Sequence, residues 1–298
     1  MYSLNPTIIP YNGSFYLLVR RETDIQKWDK SIMSYELHKV NKNFQTLSKE
    51  DCIFQYNNHF YSKVSRTKWK ENEIVFEDIK FAFLKNKKIY GISNLLFSQK
   101  IPRIFRVGII EINIKTKILK LHKVLLTKNM SNTEKNWVLY SFQGKYYVIT
   151  HLIPYLVIYE LTNHFELIPK VRKYIYNINS FLTLKLHPDY KTLFLSPCQS
   201  PIQIHPNYLL FFTKKKLENC FYQYYISMIN LTNYKLRTIP FLIEEGYKKY
   251  LNSVHIINGK IVGCYGIADK DYEVKEIVLP ESVKKSILPF FSNYSIKL

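Results

Sequence analysis

Short apolar runs recur along this chain between clusters of polar and turn-forming residues, and they group into a unit that appears five times. Each unit opens with a polar cluster and an apolar strand, turns at Gly or Asn, continues in a second strand, and after a variable loop closes with a third. In the first copy Asn5-Pro6-Thr7 leads into Ile8-Ile9, the turn is Asn12-Gly13, and the next strands are Phe15 to Arg20 and Ser31 to Leu37. The second opens at Phe76-Glu77-Asp78, turns between Lys85 and Lys88, and continues through Ile89 to Ser93 and Val107 to Ile112. The third has Glu134-Lys135-Asn136-Trp137, the turn Gln143-Gly144, and strands Tyr146 to Thr150 and Ile158 to Leu161. In the fourth, Gln199-Ser200-Pro201 precedes Ile202 to Ile204, a turn at Pro206-Asn207, Tyr208 to Phe212 and Tyr224 to Leu231. The fifth runs Asn252-Ser253, Val254 to Ile257, Asn258-Gly259, Ile261 to Gly266 and Val274 to Leu279.

With Asn5, Asp78, Lys135, Ser200 and Asn252 as equivalent positions, each repeat has room for a four-stranded blade with one long loop. The pattern predicts an all-β chain folded as a five-bladed β-propeller, one domain over residues 1–298. Two stacked β-sandwiches are the competing architecture, but a sandwich gives no reason for one three-strand signature to recur five times. No Pro-, Gly- or Ser-rich linker divides the chain. In a propeller the first strand of each blade lines the central channel. The opening clusters should therefore deliver Asn5, Glu77, Asp78, Lys135, Gln199, Ser200, Asn252 and Ser253 to one end of the axis. Taken singly, each cluster also reads as an ordinary turn.

Composition narrows the classes. The 298 residues are 47% hydrophobic and 22% charged, which excludes disorder and coiled coil, and an aromatic share of 16% with only 8 Gly leans towards β. The net charge of +20 asks for an anionic partner. Enrichment in Lys, Asn, Ile, Tyr and Phe is also what an AT-rich genome would produce without a binding surface. Lys is spread through every repeat, with only short runs such as Lys214-Lys215-Lys216 and Lys248-Lys249, so single-stranded nucleic acid is the lesser alternative. The amino-terminal residues show no basic stretch followed by an apolar core, and the apolar run from Tyr146 to Tyr159 is shorter than the ~20 residues of a membrane span. A cytoplasmic protein without a membrane segment is expected. Cys52, Cys198, Cys220 and Cys264 form no CxxC pair and read as reduced core residues, and the dispersed His predict no metal. GxGxxG, GxxxxGK[ST] and GxSxG are absent, and Gly144-Lys145 and Gly259-Lys260 read as hairpin turns rather than phosphate loops.

Phe76-Glu77-Asp78-Ile79-Lys80, then Glu134-Lys135-Asn136-Trp137, then Cys264-Tyr265-Gly266-Ile267-Ala268-Asp269 resemble, in order and rough spacing, the motifs of glycoside hydrolase family 130. That family comprises mannoside phosphorylases and related hydrolases on a five-bladed propeller. Asn5-Pro6 and Leu17-Leu18-Val19-Arg20 also look like its first blade, so the resemblance spans nearly the whole chain. It implies that Asp78 matches the catalytic acid of the family's Glu-Asp-Pro-Arg motif, that Lys135 and His151 match phosphate contacts, that Arg106 is a further anion contact, and that Asp269 matches a sugar-binding carboxylate. There are departures: Ile79 and Lys80 replace the Pro and Arg of the motif, and Lys lacks the planar fork of Arg. Ser196 to Pro201 stands where the family prefers a glycine-rich turn, and Phe211-Phe212-Thr213 where Tyr-His-Gly is usual. These departures are the residues on which a non-catalytic reading rests.

The chemistry of a phosphorylase suits this inventory. Inverting hydrolysis needs an acid and a base, whereas phosphate is already a nucleophilic anion and needs only cations to hold it. Asp78 would be the acid if burial raises its pKa, and Lys135, Arg20, Arg106 and His151 the cations. Lys80 and Arg21 are weaker candidates of the same kind. Asn5, Glu77, Ser200 and Asn252 would contact substrate, and Trp137 would stack on a sugar ring or else sit in the core. The expectation is thus an inverting mannoside phosphorylase, or a mannosyltransferase using a sugar 1-phosphate as in the related glycosyltransferase family 108. It would act on an oligosaccharide or sugar phosphate, with inorganic phosphate or sugar 1-phosphate as co-substrate and no other cofactor. A non-catalytic glycan-binding propeller is the alternative, and the oligomeric state is open.

Overall fold

The computed structural model describes residues 2–22, 33–55, 74–98, 104–127, 134–153, 155–175, 196–198, 201–216, 222–241, 249–267 and 271–290. Blade I is the antiparallel meander β1 (Tyr2–Tyr11), β2 (Ser14–Glu22), β3 (Met33–Val40) and β4 (Thr46–Asp51). Blade II begins at its outer edge, where β5 (Ile53–Gln55) runs parallel to β9 (Ile118–Leu125). Its remaining strands are β6 (Val75–Lys85), β7 (Lys88–Ser98) and β8 (Ile104–Asn113). Blade III is β10 (Val138–Phe142), β11 (Lys145–His151), β12 (Tyr155–Leu161) and β13 (Leu167–Tyr174). In blade IV the innermost strand is split into β14 (Ser196–Pro197) and β15 (Ile202–His205), both paired with β16 (Tyr208–Lys216) and followed by β17 (Tyr222–Asn230) and β18 (Leu236–Phe241). Blade V is β19 (Lys249–Ile257), β20 (Lys260–Ile267) and β21 (Asp271–Glu276), with the short helix α1 (Glu281–Ile287) after it. The sheets form the expected five-bladed propeller. No helix among the described residues is long and apolar enough to cross a membrane.

The inner hairpins follow from local chemistry. Asn12-Gly13, Gln143-Gly144 and Asn258-Gly259 hold φ of 48° and 72°, 49° and 74°, and 53° and 78°. Two left-handed residues in succession make the turn whose twist matches that of the flanking strands. Blade II makes the same turn without glycine, with Asn86 at 50° and Lys87 at 64°.

Side-chain alternation explains the ring. Successive residues of a strand face opposite sides of the sheet, and here both sides are apolar. On β16, Leu209 and Phe211 join the core between blades III and IV, while Leu210 and Phe212 join the one between IV and V. On β2, Leu18 packs into the I–II core and Leu17 and Val19 into the V–I core. The II–III core gathers Ile92, Val107 and Ile109 with Trp137, Leu139 and Val148. Each of the five clusters thus lies between two blades, and α1 adds Val283 and Ile287 to the IV–V seam.

Closure between blades V and I takes no exchanged strand among the described residues. Its apolar cluster is small, with Ile8, Leu17, Val19 and Val40 against Ile257, Val262 and Cys264, and polar bonds complete it. Asn252 Nδ2 donates to the carbonyls of Asn5 and Pro6, both at 3.1 Å, and Ser253 Oγ donates to Pro6 at 3.2 Å. His255 Nε2 accepts from the Ile8 amide at 3.3 Å, and burial pushes its pKa down to about 4. His38 lies at the same seam, 2.7 Å from Glu36 and 3.1 Å from Tyr272, and burial, outweighing Glu36, lowers its pKa as well.

Both histidines fold neutral and unfold with an ordinary pKa of about 6.5, so the unfolded chain binds the extra protons. Their contribution to stability is fully present above about pH 6.5 and is lost as pH falls below it, for His255 towards about 4. Urea midpoints taken from pH 7 downwards should decline across that window, and His255→Gln should flatten the decline. A midpoint constant to pH 4.5 would refute this origin of the acid sensitivity.

Candidate functional site at the channel mouth

Three innermost strands break register at the same height. The shifts fall between Leu4 and Thr7 in β1, Glu77 and Lys80 in β6, and Leu251 and Ser253 in β19. A bulge inserts one extra residue and re-aims its side chain. The inserted positions hold Asn5 at φ 47°, Asp78 at 52° and Asn252, and Asn136 takes 59° just before β10. Asn and Asp tolerate this left-handed region better than other side chains with a Cβ. The structural equivalent in blade III is therefore Asn136, one residue after the expected Lys135.

The bulges bring charges together. Asn5 Nδ2 donates to Asp78 Oδ1, and Arg20 Nη1 donates to the same oxygen at 3.1 Å. Arg20 also lies 3.7 Å from Glu22, its neighbour but one on β2, and both are buried. The backbone under Asp78 is held from both sides: Tyr35 OH donates to Phe76 O at 3.2 Å and accepts from the Ile79 amide at 3.4 Å, while Ser93 Oγ donates to Glu77 O at 2.9 Å. Walled in by protein, Asp78 still leaves 24% of its side chain open to the channel. Burial is the largest influence on its carboxyl and pushes the pKa up. Arg20, Asn5, Lys80 and Lys214 together outweigh it and hold the group below its ordinary value. Burial alone would favour the acid form expected of Asp78, and its partners work against it by stabilising the ionised form.

Glu77 is buried beside it, with Oε2 accepting from Lys135 Nζ at 2.9 Å. Lys135 also lies over the Phe105 ring, 3.4 Å from its centroid. Glu77 Oε1 and Asn5 Oδ1 are buried with no hydrogen-bond partner. The amide of Asn5 must turn its nitrogen to the carboxylate, since the reverse would oppose two acceptors, so its oxygen is left over.

Deeper in the channel Lys80 is 4% exposed, and its Nζ reaches across from blade II to the carbonyl of Pro197 in blade IV at 3.5 Å. Burial first, then Lys214, lower its pKa to about 8 against the opposing pull of Asp78. Thr7 Oγ1 accepts from the Phe81 amide at 3.2 Å on the other side of β6.

Several expected contacts are placed differently. Trp137 is 2% exposed, its Nε1 donates to Glu134 at 3.2 Å, and its ring belongs to the II–III core, so it offers no face for a sugar. Asn252 is engaged in closing the ring. Arg106 donates to Phe105 O at 2.7 Å at the II–III seam, and His151 is exposed at the end of β11 beside Thr150, at 3.0 Å; nothing links either to Asp78 among the described residues. Gln199, Ser200 and Asp269 lie outside the described residues. Residues missed in the sequence are Glu22, Tyr35 and Lys214. Glu22 had one usable signal, its i+2 spacing from Arg20 on a strand.

No family model and no curated protein matches the chain. Among solved structures it is similar in fold to a GH43 β-1,3-galactosidase with galactodeoxynojirimycin. That match has a TM-score of 0.62 at 9% identity and covers 95% of this chain and 92% of the other. A GH43 β-xylosidase/α-arabinofuranosidase from a compost metagenome, in complex with xylotriose, gives 0.59 at 12% identity, covering 95% and 93%. An endo-arabinase from Bacteroides thetaiotaomicron gives 0.54 at 10%, covering 94% and 96%. At these identities the likeness is one of fold. These GH43 neighbours belong to a different propeller family from the family 130 resemblance.

If Trp137 is a core residue, Trp137→Phe should cost about 1–3 kcal/mol through loss of the buried indole bond to the Glu134 carboxylate, read by urea denaturation. Ligand affinity should be unchanged in the same variant, and a loss of affinity without loss of stability would return the ring to the site.

Proposed function

We propose that this chain is a carbohydrate-active propeller that holds a sugar at the channel mouth through acceptor atoms of Asn5, Glu77 and Asp78. The observation that carries the reading is the Asp78 carboxylate, 24% open to the channel and held ionised by Arg20, with the unmatched acceptors Asn5 Oδ1 and Glu77 Oε1 beside it. Hydroxyl groups supply donors to acceptors of this kind, and an anion does not. The GH43 neighbours, whose names include a galactosidase and a xylosidase, agree with a sugar ligand.

In this reading Asp78 stays ionised, accepting a hydroxyl or acting as base towards an incoming water. The phosphorylase reading asks the same carboxyl to donate a proton, against Arg20 and Asn5, and asks Arg20 and Lys135 to hold phosphate while they are paired to carboxylates. A mannoside phosphorylase is therefore the second reading. Glycan binding without cleavage has in its favour that the carboxyl open to the channel, Asp78, is held in its ionised form by Arg20 and Asn5 rather than poised to donate a proton.

Calorimetry against neutral mono- and oligosaccharides should show binding that Asp78→Asn weakens by about tenfold or more, the worth of a charge-assisted bond. Affinity should persist as pH falls through the ordinary aspartate range near about 3.9, because the carboxyl is held ionised. Aryl glycosides and phosphate are tested alongside. Phosphate-dependent release of a sugar 1-phosphate would favour the second reading, and absence of any sugar binding would overturn both.

A further inference from the structure

The end of the ring opposite Asp78 carries the hairpin turns, and lysines scattered through the sequence converge there. A groove follows the seam between blades I and II as three adjoining hollows of about 660, 390 and 210 Å³, all lined by Tyr11. Its cationic lining comes from three separate segments: Lys39 on β3, Lys87 and Lys88 at the β6–β7 turn, and Lys115 and Lys117 at the β8–β9 turn. Two are neutralised locally, Lys88 by Glu111 at 3.0 Å and Lys117 by Glu50 at 2.6 Å. Lys39, Lys87 and Lys115 are exposed and have no carboxylate within ion-pair distance among the described residues. Between them lie the half-buried rings of Tyr11, Phe15 and Tyr16.

We propose that this groove binds single-stranded nucleic acid. The argument is charge complementarity joined to aromatic spacing. A flexible polyanion follows a groove by placing phosphates on separated lysines, and its bases stack on rings between them. A small anion would need its cations on one point, whereas these stand on three segments. An acidic protein would meet the lysines but has no use for the rings. The dispersion of Lys along the sequence argued against such a footprint, and the fold removes that objection by bringing positions 39, 87 and 115 onto one edge. The proposal does not depend on the sugar site, which lies at the other end of the channel.

The test is fluorescence anisotropy of a labelled oligothymidylate with the full chain across a salt series. Lys39→Glu/Lys87→Glu/Lys115→Glu should lose at least tenfold in affinity, and the slope of log K against log salt should become shallower by about 0.7 per lysine removed. Lys170→Glu/Lys235→Glu/Lys285→Glu carries the same charge change on exposed lysines outside the groove and should keep most of the affinity. Tyr11→Ser should weaken binding without altering the salt slope, and Asp78→Asn should alter neither. Absence of binding, equal losses in the two triple variants, or equal competition by polyglutamate would overturn the proposal. If the groove triple variant fails to fold, single Lys→Gln changes at positions 39, 87 and 115 replace it, and no change in slope among them would have the same force.

Discussion

A sheet with two apolar faces must be covered on both, and that constraint makes this chain a ring. Every central strand sends alternate side chains into different seams, as Leu209 and Phe211 do against Leu210 and Phe212. No blade can bury itself, because its core is shared with the next. The last seam is the least apolar, and Asn252, Ser253 and His255 complete it by binding the backbone of β1. Closure and site are thereby coupled, since the carbonyl that Asn252 holds belongs to Asn5, whose amide holds Asp78.

The ring then sets the electrostatics of the channel. Bulged residues on the innermost strands point at one another, and burial makes each charge expensive unless it is matched. Arg20 answers Asp78 and Glu22, and Lys135 answers Glu77, so the two expected phosphate-holding cations nearest the bulged carboxylates are already committed. Beside them stand acceptors, Asn5 Oδ1 and Glu77 Oε1, next to a partly open carboxylate. A site of that kind suits hydroxyl donors better than anions.

Much of the fold was legible. Asn-Gly and Gln-Gly pairs between apolar runs announced the inner hairpins, and recurrence of the run announced the blades. The outer strands were not legible, because β4 and β13 are largely exposed and carry no apolar alternation to read. Helix α1 is too short to show a period, and only Val283 and Ile287 tie it down. At the site, Asn5, Glu77, Asp78 and Arg20 were found together, but sequence does not show pairing, and pairing decides what a charge can do. Arg20 reads like any other basic residue until Glu22 and Asp78 are seen beside it. Of the two places open to Trp137, alternation beyond Asn136 selects the core, because one residue of register separates the channel from it.

The protonation state of Asp78 distinguishes a ligand-holding carboxylate from a proton donor, and everything proposed for the channel mouth rests on it. A carboxyl-carbon NMR titration of the folded chain, with Asp78 assigned by comparison with Asp78→Asn, measures it directly. Asp78 should be ionised at neutral pH and titrate below the ordinary aspartate range, and Arg20→Leu should move it upward. A titration in the unaltered chain well above about 4, the usual value for a free aspartate, would contradict the arrangement described and restore the acid.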